Sequence, residues 1–153
     1  MIALLMPLLL LQASGGPSCM VADHRIEDLI ATKRIALHGH EYCQFRIYQA
    51  LYDIDGDHTD DFLVVFSVEG AEGNMGEVIQ FLAVFASVDH WQPVVREVGR
   101  RGIRLVDAIQ VAGNGTIQLS TQVYQLSDAM CCPSGKGTLN FKFSHGHLTL
   151  ARE

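Results

Sequence analysis

The chain has 153 residues, 48% of them hydrophobic, with a formal net charge of -6 and a pI of about 5.6. That length suits one domain with a real core, and the apolar content excludes a disordered chain. The acidic balance excludes a nucleic-acid binder, which needs a basic footprint.

Residues 1–13 are almost entirely apolar. The run is too short to span a bilayer. It reads as the hydrophobic part of a secretory signal, with Ala13, Ser14, Gly15 and Gly16 as the cleavage region, although a positive n-region is missing. The expected organisation is therefore a signal peptide over 1–16 and one β-rich domain over 17–153, in a periplasmic or secreted protein. Four cysteines follow, Cys19, Cys43, Cys131 and Cys132. An even count behind a signal fits disulfides in an oxidising compartment. The expected pairing takes Cys131 and Cys132 each to Cys19 or Cys43, with a vicinal Cys131–Cys132 bridge as the alternative. Zinc is disfavoured, because adjacent cysteines do not match its usual Cys-x(2–4)-Cys spacing.

Apolar positions at 26, 29 and 30 predict a short helix over 21–31, N-capped by Asp23. Ile35 and Leu37 are expected to begin a short strand. Over 42–52, Cys43, Phe45 and Ile47 alternate with Gln44, Arg46 and Tyr48, which is the period of a half-buried strand. An acidic loop follows, and 62–68 leaves it as a second strand, so the pair forms a hairpin. After a glycine-rich loop over 70–76, residues 78–88 read as a strand apolar on both faces, hence central. Strands are expected over 93–98 and 103–111, separated by a turn over 99–102. Asn114-Gly115 is the preferred pair for a type I′ hairpin turn and leads into a strand over 116–124. An irregular stretch over 126–136 precedes strands over 139–143 and 148–150, with His145-Gly146 turning between them. The predicted fold is mostly β: an antiparallel meander of seven or eight strands, in one curled sheet or two packed sheets, with one short N-terminal helix.

The stretch that carries chemistry is 53–61, where five aspartates fall within nine residues. Asp53, Asp55, Asp57, Thr59 and Asp61 occupy alternate positions of a tight loop. A hard cation takes about six to eight oxygens from such a loop, with Thr59 offering its backbone carbonyl. Gly56 lets the backbone turn. Calcium is preferred to magnesium, which keeps its own waters. The loop is not an EF-hand, because Val64 stands where a bidentate Glu is required. An ordinary acidic turn is the competing reading, since turns favour Asp and Gly. His58 is expected to point to solvent.

Little else has a catalytic pattern. Glycines 70, 73 and 76 match no phosphate loop, and no nucleophile motif is present, so the chain is not expected to be an enzyme. His38 with His40, and His145 with His147, are candidate metal pairs or plain surface histidines. Arg96, Arg100, Arg101 and Arg104 form a basic cluster that a solvated turn explains as well as a ligand site does. Trp91 is either an exposed binding tip or a core plug.

Asp53 to Phe62 resembles the calcium loops of integrin-type FG-GAP and VCBS repeats, in which the loop joins antiparallel strands. His58 stands where those loops usually carry glycine. One copy is present, so a multi-blade propeller is not implied. Tyr42 to Arg46 and Asp128 to Ser134 look like segments of small exported bacterial proteins. Proteins with a comparable calcium loop in a β-rich domain are similar to periplasmic lysozyme inhibitors and immunity proteins. The resemblance implies a non-catalytic, exported, Ca2+-binding protein with a protein partner, a basic peptidoglycan hydrolase that it inhibits. The expected contact segments are 70–76 and 90–92. The alternatives are a structural or glycan-binding envelope domain and, with less support, a small hydrolase.

Overall fold

The computed structural model describes residues 23–112 and 114–151. The segment read as a signal, 1–16, and Cys19 lie outside the described residues.

Helix α1 spans His24–Leu37. Asp23 caps it, its side chain accepting the Arg25 N–H at 2.8 Å, as the sequence predicts. It ends at His38, which adopts a left-handed conformation (φ 54°) and donates its N–H to the carbonyls of the last turn. Ile35 and Leu37 are therefore helical and begin no strand. The cap at His38 also removes the expected shared extended face of His38 and His40. Ile26 and Ile30, one helical turn apart, are fully buried. Beneath them the Arg46 guanidinium binds Glu41 at 2.7 Å and also pairs with Glu27 of the helix, tying α1 to the sheet.

The sheet contains β1 (His40–Glu41), β2 (Ile47–Tyr52), β3 (Asp61–Glu69), β4 (Val78–Phe85), β5 (Val94–Arg100), β6 (Arg104–Ala112), β7 (Thr116–Val123), β8 (Gly135–Ser144) and β9 (His147–Leu150). Every pairing is antiparallel, in the order β1-β3-β4-β5-β6-β7-β8-β9, with β2 also on β3. β1 and β2 lie end to end along one edge of β3, so the meander is eight strands wide. The break between them is a single 3-10 turn at Cys43–Phe45. The strand expected from residue 42 thus begins only at Ile47.

β3 and β4 are covered on both faces. Phe62, Val64, Phe66 and Val68 join Ile79, Phe81, Ala83 and Phe85 under α1. Leu63 and Val65 join Leu82 and Val84 in a second core with β5 to β9. One continuous sheet curls until its second half packs on its first, which is why these two strands read as unbroken apolar runs. The curl falls at β5–β6, where only Arg100 pairs with Arg104. There the buried Gln80 side chain takes over from the missing ladder. Its Oε1 accepts the Val106 N–H at 2.6 Å, and its amide donates to the Val106 carbonyl at 3.3 Å.

Two turns differ from expectation. Ala112 pairs with Thr116, leaving three residues in that hairpin loop, with Gly115 left-handed (φ 77°). With three positions between the paired residues, the loop is of the three-residue kind and not the two-residue type I′. Residues 101–103 make the β5–β6 turn, and Gly99 lies inside β5.

The expected long-range pairing of Cys131 and Cys132 is overturned: they are joined to each other. The Cys132 N–H donates to the Ala129 carbonyl at 2.9 Å, so the backbone here is a turn, and neighbouring side chains can meet as they cannot in a strand. Cys43 is also disulfide-bonded.

Candidate metal centre

β2 ends at Tyr52 and β3 begins at Asp61, directly opposite it across the ladder. The acidic loop hangs between these two paired positions. Its backbone wraps around its own carboxylates. Asp53 accepts the N–H of Gly56 at 2.7 Å on one oxygen and that of His58 at 2.9 Å on the other. Asp55 accepts from Asp57 at 3.1 Å, and Asp57 from Thr59 at 2.7 Å. These are the local bonds through which Asp favours turns. Gly56 (φ 85°) and His58 (φ 66°) take the two left-handed positions. His58 occupies a conformation that favours glycine, and its side chain is 96% exposed, as expected.

Asp61 is different. It is 2% exposed and reaches back to the Ile54 N–H at 2.9 Å and out to the Ser87 N–H at 3.1 Å. Carboxylate oxygens of Asp53, Asp55 and Asp61 converge within 4.8 Å of one another. Asp57 lies beside Asp55 but outside that set, its second oxygen hydrogen-bonded to the Ser87 hydroxyl. Of the five sequence-predicted residues the structure therefore brings three carboxylates together. Asp57 supports the loop from outside that set, and Thr59 contributes its N–H to Asp57. Ser87, which supports two of the aspartates, is invisible to a reading of the loop alone.

The electrostatics of this cluster are unbalanced. Burial pushes the Asp55 and Asp61 carboxyls above their ordinary range, and neighbouring carboxylates push in the same direction. The Ser87 hydroxyl instead holds Asp57 low. Among the described residues no lysine or arginine pairs with these four aspartates, and the nearest cation is His58, 3.6 Å from Asp53 when protonated. Asp55 Oδ2 is buried without a hydrogen-bond partner. A bare buried carboxylate oxygen is costly. The donor set fits a hard cation, because each oxygen keeps a lone pair after accepting an N–H.

The other candidates resolve differently. Trp91 is half-buried beside the α1 core, stacked on Phe62 at 5.7 Å between centroids, so it plugs more than it displays. Arg100 is committed to Glu97 and Glu77 at 2.9 and 2.7 Å. Among the described residues no histidine joins a metal-binding group. Residues 72–76 are exposed or partly exposed, consistent with a loop.

Fold and site together define a mostly-β protein that has, among the described residues, one antiparallel sheet, one α-helix and a cluster of three aspartates able to chelate a cation. No family model, curated protein or solved structure matches the chain.

Proposed function

We propose that the chain is an exported, non-catalytic calcium-binding protein that engages a protein partner. The single observation that carries the metal reading is the buried, unpartnered Oδ2 of Asp55, whose carboxylate converges with those of Asp53 and Asp61. Thr59 would add its carbonyl oxygen. The bound cation would cancel the repulsion among the carboxylates and fix the end of the β2–β3 hairpin. Such ordering favours binding by lowering the entropy lost when a partner docks. The net charge of -6 suits a basic partner, and a lysozyme-like hydrolase is the class proposed. Disulfides at Cys43 and Cys131–Cys132 suit an oxidising compartment.

A calorimetric calcium titration with thermal melts tests the metal. One saturable site is expected, with a dissociation constant of about 0.1–1 mM, in the range of extracellular modules. Asp55→Asn should abolish it. No heat at several millimolar calcium would reduce the loop to an acidic turn. Inhibition of a lysozyme-like hydrolase at micromolar concentration tests the partner, and no effect on any such enzyme would leave only the metal site standing.

A further inference from the structure

A second concavity lies at the opposite end of β4 from the acidic loop. Its volume is about 360 Å³, and its apolar walls include Phe45, Ile47, Leu105, Val106, Met130 and Cys131. That is within the range of small-molecule sites, roughly 300–1,000 Å³.

One lip is a loop built to hold its shape. Asp128 accepts the N–H groups of Gln125 at 2.7 Å and Ser134 at 2.8 Å, and the Ser134 hydroxyl at 2.8 Å. The Tyr124 hydroxyl donates to the Met130 carbonyl at 2.8 Å, and the Cys131–Cys132 bridge closes the turn. This fixed loop nevertheless shows apolar side chains to water: Leu126 is fully exposed and Met130 is 58% exposed. Across the cleft Phe45 is also exposed. Of these, Phe45 and Met130 line the cavity, and exposed apolar side chains on a cavity wall mark a binding surface.

The polar wall supplies the ligand's chemistry. Arg101 lines the cleft, and one guanidinium nitrogen donates to the Gly76 carbonyl at 2.7 Å. Its Nε is buried with no hydrogen-bond partner, and no carboxylate pairs with it among the described residues. Its neighbour Arg100 takes both nearby glutamates. The cleft's one carboxylate, Asp107, already faces Lys136 at 3.9 Å and Gln122 at 3.4 Å. A guanidinium that lines a cleft with no carboxylate paired to it suits an anion, which it binds with charge-assisted hydrogen bonds.

We propose that this cleft binds a small amphipathic anion, with its apolar body against Phe45, Leu105 and Met130 and its head on Arg101. The site is independent of the acidic loop, so the test is run on the full chain in excess chelator. The probes are anilinonaphthalene sulfonate, which carries the anionic head, and phenylnaphthylamine, which lacks it. Both should bind saturably at one site, and decanoate should displace them. Arg101→Gln should weaken the sulfonate about tenfold or more, as expected for a hydrogen bond to a charged group, and leave the neutral dye unchanged. Met130→Glu should weaken both, and because Met130 is exposed this variant folds even if R101Q does not. Equal sulfonate affinity in a folded R101Q, or unaltered binding in M130E, would overturn the proposal. So would non-saturable binding to the parent protein, the result expected if the cleft instead takes a side chain of a protein partner.

Discussion

The Ser87 N–H donates to Asp61 Oδ1 at 3.1 Å, although the two residues are 26 positions apart. The other oxygen of Asp61 takes the Ile54 N–H at 2.9 Å. One buried carboxylate thus joins the acidic loop, the start of β3 and the segment after β4. Asp61→Ala leaves two N–H groups without their acceptor and should lower the unfolding free energy by about 2–3 kcal/mol. The loss should persist in chelator, because it is separate from any metal. Asp60→Ala, at an exposed neighbouring position, should stay within about 0.5 kcal/mol of the parent. Urea melts of the two variants in chelator make the comparison.

The same burial sets the pH dependence of the metal effect. Asp55 and Asp61 titrate above the ordinary value of 3.8 in the folded chain. The folded state therefore holds more protons than the unfolded state in that window, and these two groups remove stability as pH rises through it. A cation needs the ionised forms and reverses that loss. The rise in Tm caused by calcium should be absent at a pH of about 3.5, below the ordinary carboxylate range, and grow towards neutrality. A calcium effect equal at both ends would place the ion elsewhere.

Gln80 and Gly99 form one device at the curl of the sheet. A Cβ on Gly99 would sit 2.5 Å from Gln80 Oε1 and 3.0 Å from the Arg104 carbonyl. Gly99 is bare so that the Gln80 amide can cross it to Val106. Gln80→Leu should cost about 2–3 kcal/mol, because both backbone groups of Val106 lose their buried partner. Gly99→Ala should cost a comparable amount by displacing the same amide. Adding the two costs should overstate the double variant, since one interaction is lost twice. Chemical denaturation of the singles and the double measures this.

The strand order was legible because it follows consecutive pairing, and the central position of β3 and β4 because both faces are apolar. In β7 the alternation is plain in the chain itself: Ile117, Leu119 and Thr121 are buried and their neighbours half-buried. What local pattern does not carry is distance. Ile35 and Leu37 look like strand residues until Ile26 and Ile30 anchor the helix on β3, and the helix runs on to His38. Gln80 inside an apolar run looks like a blemish until Val106 is known to lie beside it. In the acidic loop the spacing named the aspartates, yet Ser87, which binds Asp57 and Asp61, belongs to another connection. Cysteine count and spacing leave the Cys131–Cys132 bridge as the second choice, and the turn at 129–132 that lets the two side chains meet is not written in that count.

Asp23 gives a titration of the opposite sign. Its carboxylate takes the Arg25 guanidinium at 2.9 and 2.7 Å and the Arg25 N–H at 2.8 Å. Arg25 in turn lies over Phe62 and Trp91, at 4.7 and 4.5 Å from the ring centroids. Its side-chain hydrogen bonds hold Asp23 down to about 2. A depressed folded pKa contributes stability that is present above 3.8 and lost as pH falls towards 2. After allowance for solvent at this partly exposed site, Asp23→Ala should cost about 1–2 kcal/mol at neutral pH. The difference between variant and parent should narrow towards the cap's share near pH 2, where the parent carboxyl is becoming neutral. Asp23→Asn keeps the helix cap and loses the ion pair, so it should fall between them. Urea midpoints for the three proteins at several pH values read this directly. A gap that stayed constant with pH would assign the whole effect to the cap and none to Arg25.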